Sequence, residues 1–221
     1  MPASFPKAVI FDLDNTLHSL LLARIRAAEV LAIHLDDPLG ELTLRFLNGD
    51  KPTLVTDTLT PYLTERDNLS DDLLTTCSWL YFAVERNCLE PFSGIAELLS
   101  ALRSAEVRLA VITNSKEVDA LDRLKTLGLL EYFTAVIAPE TFGVKKPNPL
   151  VYQKTLELLG VSADEAVMIG DRLDRDVIPA REVGMRAVHA VYGSFEAGEE
   201  GAVEDVEGIW KILEQTSVQK Q

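Results

Sequence analysis

The stretch KAVIFDLDNTL, residues 7–17, decides the fold. Residues 8–11 form a short apolar run without polar alternation, the pattern of a strand covered on both faces. The chain then turns polar at Asp12, Asp14 and Asn15, residue types that end strands and make turns. Similar apolar runs recur at 109–112, 135–137, 166–169 and 187–191. From residue 93 onward they alternate with amphipathic stretches at 94–105, 118–127, 149–159 and 177–183. Strands alternating with helices imply βα units around a parallel sheet, and hence a doubly wound α/β core.

The region between the first strand and residue 93 breaks this rhythm. Residues 20–35, 39–47, 53–63 and 71–86 all read as helices with no strand between them. Boundaries are marked by Asp36, Asp37 and Pro38, by Asn48, Gly49 and Asp50 before Pro52, and by Ser70 as an N-cap ahead of Asp71 and Asp72. Pro91 and Gly94 mark the return to the core. The expected division is therefore a discontinuous core, 1–17 and 90–221, and a helical insertion, 18–89. There is no internal repeat, and the polar tail after Gln215 is expected to fray.

With 221 residues, 47% of them hydrophobic, the chain is long enough to bury a sizeable core. Its net charge of −14 argues against nucleic acid or an anionic membrane as partner, because such binding needs Lys and Arg to displace counterions. The same acidity would repel a phosphorylated small molecule unless a bound cation and a few placed positive groups reverse the field locally. Cys77 and Cys88 lie in no metal or redox spacing and read as ordinary thiols. The N-terminal residues lack the pattern of a secretory leader, and no apolar run reaches the roughly 20 residues of a membrane span, so a soluble, cytoplasmic protein is expected.

Polar residues cluster where the presumed strands end: Asp12 and Asp14 after the first, Thr113 and Asn114 after the second, Asp171 after the fourth. In an open parallel sheet the carboxyl ends of the strands frame the crevice where ligands bind. Lys146, in the loop before residue 149, is a further candidate. Taken singly, each has a plain alternative: a turn after a strand, a helix cap, a solvated loop charge. Their shared address weakens all of these together.

FDLDNTL at 11–17, ITN at 112–114, KKPNP at 145–149 and GDRLDRD at 170–176 resemble, in order, the four motifs of the haloacid dehalogenase superfamily. The first and last are specific, and the middle two gain weight from their company. The resemblance implies a Rossmann-like core with a helical cap inserted after the first motif. It also implies a phosphatase acting on a small phosphorylated metabolite, with Asp12 as covalent nucleophile and Asp14 as acid and then base toward the leaving alcohol and water. These duties call for an ionised Asp12 and an initially protonated Asp14.

Clustered carboxylates oppose one another's ionisation, so a divalent cation is implied, and oxygen-only ligands suit Mg²⁺. The resemblance assigns it the Asp12 and Asp171 carboxylates and the Asp14 main-chain carbonyl, with Asp176 in contact or just beyond. Phosphoryl oxygens would meet Lys146, the Thr113 hydroxyl and main-chain N–H groups near Leu13 and Asn114.

Lys145 rivals Lys146, but the resemblance aligns the lysine directly before Pro147. Asp174 rivals Asp176, which has the matching spacing. Arg172 either reaches substrate or pairs with an acidic neighbour. His18, His34 and His189 are scattered, and Trp79, Tyr81 and Phe82 read as core of the last inserted helix. Arg24, Arg26 and Arg45 read as a solvated helix face.

A dehalogenase would use the same nucleophile without needing Asp14. A phosphomutase would need a second phosphate site, for which the insertion offers no clear sequence. Outside enzymes, the alternatives are a phospho-acceptor signalling module, against which the helical insertion and Asp14 favour turnover, and an idle binding protein, which would be expected to have lost one of the four motif positions. Oligomeric state and substrate identity are not legible.

Overall fold

The computed structural model describes residues 5–37, 40–48, 55–193 and 197–215. Expectations about Pro38, Leu39, residues 49–54 and the tail after Gln215 lie outside these. In chain order the elements are β1 (Ala8–Phe11), α1 (Leu20–His34), α2 (Glu41–Asn48), α3 (Val55–Thr64), α4 (Asp71–Asn87), α5 (Ile95–Ser104), β2 (Arg108–Ile112) and α6 (Glu117–Thr126). There follow β3 (Ala135–Ile137), α7 (Pro139–Phe142), α8 (Pro149–Leu159), β4 (Ala166–Gly170), α9 (Ile178–Glu182), β5 (Arg186–His189) and α10 (Val206–Gln215). The chain divides into two compact units, residues 1–19 with 90–221, and residues 20–89.

The first unit is a five-stranded parallel sheet in the order β3-β2-β1-β4-β5, flanked by helices, so the chain has the α/β, Rossmann-like fold. All four residues of β1 are fully buried, because successive side chains enter opposite layers. Val9 and Phe11 join Leu99 and Leu102 of α5, Leu124 of α6 and Ile209 of α10. Ala8 and Ile10 join Val151 and Tyr152 of α8 and Ala180 of α9. A strand covered twice has no polar alternation to show, which is why its sequence is an unbroken apolar run. The strand order reverses at β1: the chain fills one side through β2 and β3, then the other through β4 and β5. Such a switch point opens a crevice at the carboxyl ends of β1, β2 and β4.

Two segments differ from the sequence expectation. The last strand runs Arg186–His189, not to residue 191, and Val191–Gly193 is a 3-10 turn. The expected helix at 177–183 is shorter, because a single wide π-type turn, Leu173–Val177, precedes α9. α10 was not anticipated; its Val206, Ile209 and Leu213 bury against the sheet layer that holds Val9 and Phe11.

The second unit is all helical among its described residues, with α1 packed on α4 and α2 on α3. Its core gathers Ala28 and Leu31 of α1, Leu42 of α2, Leu59 and Tyr62 of α3, and Cys77 and Tyr81 of α4. Ser70 caps α4 by accepting from the N–H of Leu73 at 3.2 Å. The expectation that Trp79, Tyr81 and Phe82 are all core fails for two of them: Tyr81 is buried, but Trp79 is 72% and Phe82 54% exposed. Three residues so close along a helix cannot share one face, and Tyr81 takes the inward position, stacked on Phe46 at 4.9 Å. Arg24 pairs with Glu85, Arg26 with Glu29, and Arg45 with Glu41 and Glu65. No described helix is long and apolar enough to cross a membrane.

Candidate active site

Asp12 sits where β1 ends, its N–H still donating across the sheet to the Ile169 carbonyl at 2.8 Å. The chain then turns tightly: the Leu17 N–H reaches the Leu13 carbonyl at 3.0 Å, and that of Asn15 reaches His18 at 2.7 Å. Asn15 takes a left-handed φ of 63°, which asparagine tolerates better than most side chains. Gly193 lies so close to the Asn15 carbonyl that a β-carbon there would collide with it. The Tyr192 hydroxyl donates to the Thr16 carbonyl at 2.8 Å. The loop carrying Asp12 and Asp14 is thus braced by the turn after β5.

Asp171 follows β4, and its carbonyl accepts from Nε2 of the buried His189 at 3.0 Å. Asp176 returns to the same place through the π-type turn, its N–H bonded to the Arg172 carbonyl at 2.8 Å and its Oδ2 accepting from the Arg172 N–H at 3.1 Å. Gly170 makes this return feasible, because a β-carbon at that position would overlap the Asp176 carboxyl group. Asp174, by contrast, is largely exposed and pairs with Arg172 at 3.1 Å. Arg172 therefore does pair with an acidic neighbour.

Lys146 enters from the loop before α8. Asn114 holds that loop with both ends of its amide: Oδ1 accepts from the Lys146 N–H at 2.9 Å and Nδ2 donates to the Lys146 carbonyl at 3.0 Å. The Lys146 ammonium, 3% exposed, donates to Asp12 and to Asp176, each at 2.5 Å. Lys145 is exposed. Thr113 is buried, and its hydroxyl oxygen accepts from the Ser115 N–H at 3.0 Å. The Leu13 side chain lies in the sheet core, so only its main chain is available to a ligand.

Asp12, Asp171 and Asp176 each offer a carboxylate oxygen within 4.8 Å of the others, the one such cluster among the described residues. One lysine does not balance three buried acids. Burial pushes the Asp12 carboxyl up to about 6, with Lys146 opposing and Asp176 adding to the rise. Burial, reinforced by Asp12 and then Asp176, pushes Asp171 up to about 8. Burial also disfavours the Lys146 charge, but the Asp12 and Asp176 carboxylates outweigh it and hold its pKa above the ordinary lysine range. All-oxygen donors, too little positive charge and raised acid pKa values are what a site for a hard divalent cation shows without its ion. The residues fit Mg²⁺.

Asp14 has a different neighbourhood. Its Oδ1 accepts from His18 Nε2 at 3.1 Å, its Oδ2 from the Ser115 hydroxyl at 2.8 Å, and both oxygens lie 3.0 Å from Nη1 of Arg123. Burial alone would raise its pKa, but the His18 hydrogen bond, the Arg123 charge and Ser115 together hold it well below the usual carboxylate range. The two carboxyls are thus pushed in opposite directions, Asp12 above and Asp14 below the usual carboxylate range. The cause lies in the neighbours, carboxylates around one and donors around the other. His18, Ser115 and Arg123 were not identified from the sequence as a group. Ser115 follows the second motif directly, but Arg123 stands 109 residues from Asp14 and only the folded register joins them.

The sequence profile of the haloacid dehalogenase-like hydrolases matches residues 9–190. A phosphoglycolate phosphatase of Rhodospirillum rubrum is 34% identical over 201 residues, covering 85% of this chain and 80% of that protein. A glyceraldehyde 3-phosphate phosphatase of Methanocaldococcus jannaschii is 29% identical over 211 residues, covering 90% and 91%. Among solved structures, a HAD phosphatase from Thermococcus onnurineus superposes with a TM-score of 0.64 at 29% identity, covering 94% of this chain and 97% of its own. The chain belongs to the haloacid dehalogenase-like hydrolase family. Within it, the chain is a phosphatase.

Proposed function

We propose that this phosphatase hydrolyses a small phosphorylated metabolite through an aspartyl phosphate on Asp12, with Mg²⁺ as cofactor. The observation that carries the reading is the buried meeting of Asp12, Asp171, Asp176 and Lys146 at the switch point of the sheet. Phosphate esters resist unaided hydrolysis so strongly that rate enhancements reach about 10²¹, and a covalent intermediate divides the barrier. The Asp12 carboxylate would attack phosphorus. Lys146, the Thr113 hydroxyl and main-chain N–H groups near Leu13 and Asn114 would meet the charge on the phosphoryl oxygens.

The cation, held by the Asp12 and Asp171 carboxylates and the Asp14 carbonyl with Asp176 in contact or one step removed, would supply charge neutralisation and polarise the phosphoryl group. Asp14 would protonate the departing alcohol and then take a proton from the attacking water. Its ionised state suits the second duty, and the first requires it to gain a proton once substrate is bound. Residues 18–89 form the cap in this reading, and the protein is cytoplasmic. Phosphorylated acids and aldehydes of two or three carbons are the substrate class suggested by the names of its relatives. Asp14 disfavours a dehalogenase, which has no alcohol to protonate.

The test is phosphate release from p-nitrophenyl phosphate, phosphoglycolate and glyceraldehyde 3-phosphate, with Mg²⁺ or chelator, beside Asp12→Asn. Release should require the metal and fall by about 10⁴-fold or more in the variant, as when a nucleophile is removed. Undiminished turnover by Asp12→Asn would sink the nucleophile assignment. Folded protein that releases phosphate only from other esters would sink the substrate class.

A further inference from the structure

Asp14 ends in a short arm that turns freely unless its oxygens are held. Three elements hold it: the loop after β1 through His18, the loop after β2 through Ser115, and α6 through Arg123. Of the three, Arg123 alone reaches both oxygens. One nitrogen, Nη1, reaches both Asp14 oxygens at 3.0 Å and also donates to Ser115 Oγ at 2.9 Å, which leaves the Ser115 hydroxyl hydrogen directed at Asp14. The group is mostly closed to water, with the Arg123 side chain 13% and that of Asp14 20% exposed. Its base is firm, because Ala120 and Leu124 on the same helix are fully buried in the sheet core. Holding a long side chain in one geometry costs entropy, and here that cost serves a carboxylate two residues from the nucleophile.

We propose that Arg123, assisted by Ser115, is a positioning residue that sets the Asp14 side chain, once it has taken the proton brought in by a substrate phosphate monoanion, for transfer of that proton to the leaving group. The inference rests on the reading of Asp14 as acid and base, and it makes a demand that a structural ion pair does not. An alkyl ester departs as a strongly basic alkoxide and needs a proton from an aimed donor. A p-nitrophenyl ester departs as a stable phenolate and does not. General acid catalysis contributes about 10²- to 10⁴-fold, so losing the aim should forfeit much of that factor on alkyl esters alone.

The experiment is single-turnover release of alcohol from an alkyl phosphate and of p-nitrophenol from its phosphate, with Mg²⁺. It compares the unaltered protein, Arg123→Met, Arg123→Lys, Ser115→Ala and Asp14→Asn. Reading the first half-reaction alone keeps water activation out of the result. Arg123→Met should slow alkyl-ester cleavage by about 10²-fold and the p-nitrophenyl ester by less than about 3-fold, with Asp14→Asn showing the same split at least as strongly. Arg123→Lys should recover part of the alkyl-ester rate. Ser115→Ala, which leaves α6 untouched, should show a smaller split and serves if Arg123→Met does not fold. Equal losses on both esters, or none, with the Asp14→Asn split present would overturn the role of Arg123. Absence of the split in Asp14→Asn itself would overturn the acid role of Asp14, and the proposal with it.

Discussion

Asp12 and Asp14 stand two residues apart on one loop, yet they occupy opposite electrostatic worlds. Asp12 faces two further buried carboxylates and shares a single lysine with one of them. Asp14 faces a histidine, a hydroxyl and an arginine. The tight turn between them sends one side chain toward the ends of β4 and the α8 loop, and the other toward the loop after β2 and α6. The difference teaches that a DxD spacing supplies two identical groups, and the distant elements beneath them decide what each becomes.

The sharpest way to break the contrast is to remove the one cation on the Asp12 side. Lys146→Met leaves Asp12 and Asp176 buried without their partner, and breaking a buried pair in this way costs about 3–5 kcal/mol. Urea denaturation in chelator should show a loss of that size, and Mg²⁺ should recover part of it. A variant as stable as the unaltered protein in chelator would mean that the lysine is not what holds these acids together.

The second test uses acidity. Asp171 and Asp12 have folded-state pKa values raised to about 8 and about 6, above the usual 3.8 of an aspartic acid. The folded protein therefore keeps protons that the unfolded chain has already released, and metal-free stability should fall as pH rises from about 4 to 8. Thermal melts in chelator should drop by several degrees between pH 5 and 8, and the slope should flatten with Mg²⁺. Melting temperatures that climb over this range in chelator would contradict the raised values. Asp14, with its depressed pKa, adds nothing to the trend above pH 5.

Gly170→Ala should cost about 1–3 kcal/mol, the usual range for overpacking, because the added methyl overlaps the Asp176 carboxyl group. Activity should fall with stability, since the collision displaces a residue of the cluster. Full activity would show that Asp176 has room to move. The smallest effect is expected from Tyr192→Phe, which removes the bond to the Thr16 carbonyl and should cost about 1 kcal/mol. That loss loosens the loop under both acids, so a change confined to one of them would be the informative surprise.

Much of this was legible in the sequence. The strands announced themselves as apolar runs because burial on both faces removes alternation, and Asp12, Thr113 and Asp171 fell at strand ends where a parallel sheet gathers its ligands. What the sequence withheld depends on register between distant segments. Arg123 is eight residues past Ser115 on a helix that reads as amphipathic and solvated, and nothing local says that its outer reach ends on Asp14. Nor could periodicity say which of Trp79, Tyr81 and Phe82 turns inward, since three neighbouring aromatics look alike until Phe46 is placed. Gly170 reads as an ordinary residue ahead of a turn. Its reason is Asp176, six residues later, folded back onto it.

The amide of Asn114 grips the main chain of Lys146 by accepting at one end and donating at the other. Such a two-handed grip needs an amide, which offers an acceptor and a donor side by side. An aspartate there would have nearly the same shape, but would turn an acceptor against the Lys146 carbonyl and add a negative charge to an acidic site. The asparagine one residue past Thr113 is thus a fastener of the lysine loop, and the place of Lys146 depends on a neutral side chain that never touches its ammonium.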